Sequence, residues 1–376
     1  MAWRIIATRA RGDGTEELLH PDLPAASCKV TDSLSSPFEL EMTLRPEMTA
    51  SVPMDTFSTC LYAEKDGVLR AGGIVVERNP KDDVLEVKAT GHAGYLAGQP
   101  WVDSPVAKYD TDALDSFRLI VSKVQSHQRA NVGLSLPTLA SGVKVGKKTA
   151  AVKDKSGNVT TEAVDEPFLL ASYETHDLGQ VWHELLDESG IEYRERVSWS
   201  GERVAHSLEM ARRVGARLAT PRFEIGSNVM AIPEMASAAS EYADEWLVLG
   251  AGEGSARINA DRSNPKPPSR LRHIRVMSRA SITRHDQADA LALKLALLTS
   301  PGSTEIAAFS ALDTADDPAW LASPGDEVRL TGDAGQAGWL DMWVRILSRS
   351  CDIIGKPDVV DFEVERVGKE ETVNEQ

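Results

Sequence analysis

The glycines after residue 249 form the motif of this sequence that is closest to a nucleotide-binding site. A hydrophobic run over residues 245–249 ends in Gly250, Gly252 and Gly254, as the first strand of a dinucleotide-binding fold does. In such folds the pyrophosphate binds at the N-terminus of a helix that opens at the glycines. Here the next segment, ARINADRSNPKPPSR, has three prolines and no helical stripe, and the glycine spacing is one residue short. The pattern favours a turn between strands, with a dinucleotide-binding oxidoreductase as the alternative.

The sequence has no group of nearby residues with the spacing of a metal-binding motif. In HELLD, residues 183–187, Asp187 stands where a zinc-binding metalloprotease helix has its second histidine. Cys28, Cys60 and Cys351 are far apart, and the eight histidines are scattered along the chain. A metal site would therefore have to be assembled from distant segments. We expect reduced, buried cysteines, no metal and no cofactor.

Motifs typical of acyl or phosphoryl transfer are also missing. The sequence has no Gly-x-Ser-x-Gly nucleophile elbow and no phosphate loop that ends in Gly-Lys-Ser or Gly-Lys-Thr. A glycosidase needs only two carboxylates about 5–10 Å apart in space, so the many acidic residues leave a cell-wall hydrolase open as an alternative. Aromatic residues make up only 6% of the chain, which is few for a cleft that stacks on sugar rings. We predict that the protein is not an enzyme.

The chain is acidic but contains one basic stretch. Its formal net charge is −16, which disfavours a sequence-specific DNA- or RNA-binding protein because like charges repel at long range. No acidic residue lies between Asp261 and Asp286. We expect the basic residues there to lie on a solvated or subunit-facing surface and to contact partner proteins. They are Arg262, Lys266, Arg270, Arg272, Arg275, Arg279 and Arg284.

Two tryptophans and a lysine-rich segment are further candidates for partner contacts. Trp101 and Trp339 lie in connections flanked by Gly or Pro, so each is an interface anchor or, alternatively, a cap on a local core. Residues 141–167 are poor in bulky apolar side chains and predict an exposed excursion that contacts partners, with a mobile insertion as the alternative. Its lysines include Lys147, Lys148 and Lys153.

Length and composition predict a folded protein of more than one domain. The chain has 376 residues, of which 42% are hydrophobic and 26% charged. No apolar run approaches the roughly 20 residues that cross a bilayer, and the first residues lack the apolar core of a secretion signal. We therefore expect synthesis in the cytoplasm and no membrane insertion.

The first part of the chain predicts strands. Apolar and polar residues alternate from Phe38 to Leu44, which places one face of a strand on a core. Asp66-Gly67 is a hairpin turn between two further strand candidates. We assign residues 1–98 to a small antiparallel barrel or sandwich.

Residues 99–218 predict a mixed domain of helices and strands. Thr111 or Asp112 can cap a helix with a single apolar stripe, and a second helix begins near Thr175 or Asp177. Its end is expected at a Ser-Gly pair, and a hairpin follows.

The last third of the chain returns to strands. One helix, around residues 287–299, interrupts them and is stopped by Pro301-Gly302. A strand, a polar turn and an alternating strand near residues 72–91 have a weak echo in residues 342–368, as a repeated barrel would leave after divergence. The remaining assignments are a second barrel over 219–250 and 303–367, an inserted subdomain over 251–302 and a frayed tail over 368–376.

This order of segments resembles that of the minor tail proteins of phages that infect Actinobacteria, which are similar to baseplate hub proteins. The similar features are a strand domain that ends in LEVKATG, then GYLAGQPWVDSP, a helix starting at YDTDAL, DLGQVWHELLDESGIEYRERV, and a final barrel with SPGDEVRLTG and VVDFEVERVG. The resemblance extends to about residue 367 and rests on patterns of strands and helices rather than on catalytic signatures.

The resemblance implies an α+β, mainly β chain with two tail-tube-like antiparallel β-barrel domains and inserted α/β subdomains. It further implies a homotrimeric ring at the tail tip of a non-contractile phage, joined to the six-fold tail tube. The implied partners are the distal tail protein and tail tube, the tape measure protein, and other minor tail or central fibre proteins. We expect a location in the virion tail tip after assembly in the host cytoplasm, and lytic activity in other proteins. A tail-associated cell-wall hydrolase is the alternative.

The negative charge adds an expectation about such a ring. Genomic DNA would slide through it without specific binding, because an acidic wall repels phosphate. The alternative is that the acidic residues of the barrels face solvent on the outside. Candidates for the wall are Glu39, Glu41, Asp326 and Glu327.

Overall fold

The fold is seen in a computed structural model that describes most of the chain. The described residues are 3–45, 47, 52–149, 152–153, 159–161, 164–231, 233–236, 243–252, 254, 257–263, 272–279, 282, 284–298, 305–315, 318–335 and 338–367. The chain forms two units, each assembled from separate stretches. Unit 1 comprises Met1–Arg217, Leu312–Asp326 and Ile346–Asp361, and unit 2 comprises Leu218–Ala311, Glu327–Arg345 and Phe362–Gln376. Strands predominate, so the predicted mainly β fold class is confirmed.

Unit 1 begins with seven strands that form one antiparallel sheet in the order β2-β1-β5-β6-β7-β4-β3. Strand β4 buries Leu40, Met42 and Leu44 while Glu39 and Glu41 are exposed, because successive side chains point to opposite faces. Among the described residues no pairing closes these seven strands into a ring, so the barrel remains a prediction. The strands are β1 Trp3–Ala10, β2 Glu16–His20, β3 Ser27–Ser33, β4 Glu39–Leu44, β5 Thr59–Lys65, β6 Val68–Lys81 and β7 Val84–Thr90.

The rest of the N-terminal stretch forms an α/β layer around two helices, α1 Ala113–Ser126 and α2 Leu178–Ser189. The ring of Phe117 on α1 meets that of Trp182 on α2 edge to face, with centroids 4.5 Å apart. The described residues within 144–166 form paired short strands, so the predicted excursion is a β-ribbon in those parts. The strands are β8 Val106–Lys108, β9 Thr111–Asp112, β10 Leu134–Ser135, β11 Lys144–Val145, β12 Lys147–Thr149, β13 Val152–Lys153, β14 Val159–Thr161, β15 Val164–Glu166, β16 Phe168–Leu170, β17 Glu192–Ser200 and β18 Arg203–Ala211.

Local capping residues set the ends of both helices. The carboxylate of Asp112 accepts a hydrogen bond from the backbone N–H of Leu114 at 3.0 Å, and that of Asp177 accepts one from Gly179 at 2.8 Å. Gly190 ends α2 in the left-handed conformation, with φ of 62°. One of the two predicted caps is thus confirmed for each helix, together with the predicted end of the second helix.

Unit 2 contains a three-stranded sheet in the order β22-β21-β23, which packs against helix α3 His285–Leu298. Val248 and Ala260 of the sheet contact Ala288 and Ala292 of the helix in one apolar cluster. The predicted helix is confirmed, and it starts two residues earlier than expected. The strands of the last part of the chain are β19 Phe223–Glu224, β20 Glu234–Ala236, β21 Glu245–Leu249, β22 Asn259–Ser263, β23 Ile274–Ser278, β24 Glu305–Leu312, β25 Glu327–Asp333, β26 Trp339–Asp352 and β27 Val359–Arg366.

None of the helices among the described residues combines the length and apolar composition needed to cross a bilayer.

Buried ion pairs attach the two late stretches of unit 1 to its N-terminal part. Arg349 lies 2.8 Å from Asp32, and both side chains are about 95% buried. The Arg349 guanidinium also donates to the carbonyl oxygens of Trp320 and Ala322. Residues 348–352 of β26 extend this contact by pairing with β3.

We expect Arg349→Leu to lower the free energy of unfolding of unit 1 by about 3–5 kcal/mol, because Asp32 is left buried without its counter-charge. Lys88→Leu is the matched control, since Lys88 pairs with Glu41 at 3.0 Å while both side chains are half exposed. The control should lose less than about 1 kcal/mol. Urea denaturation followed by circular dichroism compares them, and equal losses would contradict the structural role of Arg349.

Candidate functional site

A buried polar cluster in unit 1 brings a carboxylate, a thiol and imidazole groups close together. We call it the Glu16 cluster; it consists of Glu16, Cys60, Tyr62, His92 and His206. These residues lie on β2, on β5, at the start of the 3-10 helix His92–Leu96 and on β18. Four separate segments of the chain therefore contribute to it.

The carboxylate of Glu16 is the centre of the cluster. Its Oε1 atom accepts a hydrogen bond from the hydroxyl of Tyr62 at 2.6 Å. The same oxygen lies 3.1 Å from Nε2 of His206 and 3.7 Å from Nε2 of His92. The other oxygen, Oε2, accepts from the hydroxyl of Thr8. Both oxygens are thus held in fixed positions.

The two imidazoles and the thiol complete the arrangement. The rings of His92 and His206 are stacked with centroids 3.5 Å apart. Nδ1 of His92 is buried and has no hydrogen-bond partner among the described residues. Cys60 is fully buried. One donor atom from each of Glu16, Cys60 and His92 lies within 4.8 Å of the other two.

Burial and mutual contact shift the protonation of these groups in different directions. Burial would raise the pKa of Glu16, but its contacts with His206 and His92 and the hydrogen bond from Thr8 hold that pKa well below its usual value. Burial, reinforced by the neighbouring His206, lowers the pKa of His92 to about 4. Burial also raises the pKa of the Cys60 thiol well above its usual value. At neutral pH the cluster therefore contains a carboxylate, a neutral His92 and a protonated thiol.

A second buried carboxylate positions the segment that contains His92. Glu195 on β17 accepts hydrogen bonds from the backbone N–H groups of Phe38 at 3.2 Å, His92 at 2.6 Å and Ala93 at 3.3 Å. Burial raises the pKa of Glu195 to about 7, although the three N–H groups oppose that shift. Gly91 leaves room for this contact, because a side chain there would overlap the Glu195 carboxylate.

In chemical terms the Glu16 cluster offers one sulfur, two imidazoles and one carboxylate, the donor types that bind zinc and related metals. Sequence reasoning missed it. Its residues are separated by at least 30 positions from one segment to the next, so no local spacing indicates the site. The only available signal was the alternation that places Cys60 and Tyr62 on the same face of one strand.

The described residues of the predicted basic stretch lie in unit 2, on or beside the β22-β21-β23 sheet. Arg262 pairs with Asp289 at 3.1 Å, and Arg272 pairs with Glu245. Both arginines are exposed. Lys266 and Arg270 lie outside the described residues.

The other arginines of the stretch follow the same pattern of local pairing. The guanidinium of Arg275 lies 5.1 Å from the centroid of the Trp246 ring. Arg284 pairs with Asp286 at 2.6 Å, and Arg279 is exposed after the end of β23. The structure thus spreads the described members of the stretch over one subdomain of unit 2.

The predicted lysines lie on the β-ribbon. Lys147 and Lys148 are exposed on β12, and Lys153 lies on β13. Nζ of Lys148 is 4.8 Å from the centroid of the Tyr109 ring.

The two predicted tryptophans differ in exposure. Trp101 is 2% exposed, and its indole N–H donates to the carbonyl of Ser104 at 3.1 Å. It packs in the core with α1 and α2. Trp339 is 71% exposed. Of the two, Trp339 is accessible to a partner in this structure.

The four acidic residues that were predicted to line the channel wall also differ in exposure. Glu39 and Glu41 are exposed on β4. Asp326 and Glu327 are buried, and the carboxylate of Asp326 accepts a hydrogen bond from Arg194 at 3.0 Å. A carboxylate engaged in this way serves the fold of unit 1.

Solved tail proteins share the fold of this chain, although no protein-family model and no curated protein sequence matches it. A tail protein from Neisseria meningitidis is 12% identical, with a TM-score of 0.58 over 98% of this chain and 98% of that one. The 43 kDa tail protein of a Shewanella oneidensis prophage is 12% identical, with a TM-score of 0.58 over 97% and 98% of the two chains. A prophage tail protein from Listeria monocytogenes is 12% identical, with a TM-score of 0.53 over 98% and 96%. The chain therefore has a phage tail-protein fold along nearly its whole length.

We expect Glu195→Ala to destabilise unit 1 by about 2–4 kcal/mol, because three buried backbone N–H groups lose their shared acceptor. Glu202→Ala is the control, since Glu202 is exposed at the turn of the same hairpin and should change stability by less than about 0.5 kcal/mol. Urea denaturation measures both, and a loss within error of the control would show that Glu195 does not hold the His92 segment.

Proposed function

We propose that the protein is a structural hub of a bacteriophage tail tip that forms a homotrimeric ring below the six-fold tail tube. The observation that carries this proposal is the likeness to three solved tail proteins, which extends over at least 97% of the chain. The absence of catalytic motifs from the sequence agrees with a structural role. The partners would be other tail components: the distal tail protein and tube, the tape measure protein, and further minor tail or central fibre proteins.

Two similar hairpins support the proposal that a three-fold ring of this chain can join a six-fold tail tube. The 14-residue strand β6 is followed by a polar turn and the alternating strand β7. The 14-residue strand β26 is likewise followed by a polar turn and the alternating strand β27, its neighbour in the sheet. If each hairpin belongs to one tube-like barrel, a trimer presents six such barrels to the tube.

One sheet face in unit 2 is suited to contacts between subunits. Helix α3 covers the face of the β22-β21-β23 sheet that contains Trp246 and Val248. Alternation places Leu247, Ile274 and Val276 on the opposite face. Val276 is 57% exposed and Ile274 44%, and an exposed apolar patch of this kind is typical of an interface.

The acidic channel remains part of the proposal, with a smaller set of residues. Glu39 and Glu41 are the exposed candidates for the inner wall, whereas Asp326 and Glu327 are buried. A ring of three chains carries three times the net charge of −16, and this charge would repel DNA phosphates as the genome slides past.

We predict that native mass spectrometry of the chain at tens of micromolar, or of purified virion tails, gives rings of three chains. The physical reason is the closed symmetry of a ring in which each chain contributes two barrels. A six-fold ring or a stable monomer at that concentration would contradict the proposed hub.

We also predict that Val276→Arg abolishes the trimer while leaving the melting temperature of the isolated chain nearly unchanged, because the substitution adds a charge to an exposed face. Val102→Arg is the matched control, since Val102 is also exposed, at 65%, but lies in unit 1. Native mass spectrometry reports the oligomer and calorimetry the fold. A Val276→Arg protein that still forms trimers would exclude this face as the interface.

A further inference from the structure

The Glu16 cluster has the composition of a metal centre. Glu16, Cys60 and His92 present an oxygen, a sulfur and a nitrogen within 4.8 Å of one another. His206 adds a second imidazole, whose Nε2 lies 3.1 Å from the Glu16 oxygen. We propose that these residues bind a structural Zn²⁺ ion, with Glu16, Cys60 and His92 as ligands and His206 as the fourth donor.

The oxygen–nitrogen separations suit a tetrahedral zinc site. With bonds of about 2.0–2.1 Å to nitrogen and oxygen, donor atoms in such a site lie about 3.3 Å apart. The carboxylate oxygen is 3.7 Å from Nε2 of His92 and 3.1 Å from Nε2 of His206. The two imidazoles are stacked, so binding requires one ring to turn out of the stack towards the ion.

Charge balance favours a divalent ion in this environment. The cluster is surrounded by the apolar side chains of Ile6, Leu69 and Ile74, where an uncompensated charge is costly. A thiolate and a carboxylate neutralise Zn²⁺, while both histidines bind as neutral imidazoles. Binding therefore leaves no net charge in the core. The proton of the Cys60 thiol passes to solvent as the zinc–sulfur bond forms.

The groups around the donors orient the carboxylate. Tyr62 and Thr8 donate hydrogen bonds to the two oxygens of Glu16, as the partners of metal ligands commonly do. With four protein donors and deep burial, the site belongs to the closed, structural type of zinc centre. The ion would join β2, β5, the 3-10 helix and β18, which are four segments that otherwise meet through hydrogen bonds.

The test uses the whole chain of 376 residues. We expect elemental analysis after reconstitution with zinc and dialysis to give one zinc per chain, and removal of zinc by a chelator to lower the melting temperature. Replacement by Co²⁺ should produce the thiolate-to-cobalt charge-transfer band and the visible bands of tetrahedral cobalt. Less than a tenth of an equivalent of zinc in the folded chain, or cobalt binding without the charge-transfer band, would overturn the proposal.

Variants assign the ligands. Cys60→Ser should lose the charge-transfer band, whereas Cys351→Ser, which removes another buried free thiol, should keep it. His92→Ala should weaken zinc binding and reduce the thermal stabilisation that zinc gives. If Cys60→Ser keeps the band, or Cys351→Ser loses it, the assignment of Cys60 is wrong. If a variant does not fold, the zinc content and cobalt spectrum of the wild-type chain still decide whether the metal binds.

Discussion

Buried ion pairs between distant parts of the sequence hold unit 1 together. Arg349 pairs with Asp32, and Lys65 pairs with Asp313 at 2.6 Å with both side chains at most 4% exposed. Each pair joins the N-terminal sheet to one of the two late stretches of the unit. The removal of such charges from water costs about as much free energy as their attraction returns. We therefore expect their main effect to be on specificity, since any other pairing of these stretches would leave a charge buried alone.

The β17-β18 hairpin connects the late stretches of unit 1 to the rest of that unit. Arg194 points to Asp326 in a late stretch, while Glu195, the next residue on the strand, holds the backbone of His92 and its neighbours. His206 on the partner strand reaches Glu16. Alternation of side chains along a hairpin thus supplies contacts to both sides of it. The hairpin, the N-terminal sheet and the late stretches are fixed by one another.

The sequence predicted what local chemistry determines. Asp112, Asp177 and Gly190 act within a few residues of their own positions, so the helices they bound could be predicted. Strand β1 was missed because residues 5–8 are buried without alternation, which indicates that both faces of the strand are covered. The β-ribbon was missed as well, since its polar composition gives no signal of pairing.

Neither the buried ion pairs nor the Glu16 cluster could be predicted, for a different reason. Asp32 and Arg349 are separated by 317 positions, and nothing in the residues around either one identifies its partner. The fold decides which polar side chains meet. A single sequence indicates the fold only through local patterns of residue types, and these do not identify contacts between distant residues. The mainly β class and the tail-protein resemblance could therefore be inferred, whereas the site required the structure.

The discontinuous composition of unit 1 has a consequence for biosynthesis. As the ribosome synthesises the chain from its N-terminus, the first 217 residues emerge long before residues 346–361, which complete the unit. Asp32 and Lys65 stay without their partners until Arg349 and Asp313 have been synthesised. Contacts of such long sequence separation form slowly and leave strand edges open in the meantime. The nascent protein should therefore depend on chaperones until residues 346–361 have emerged from the ribosome.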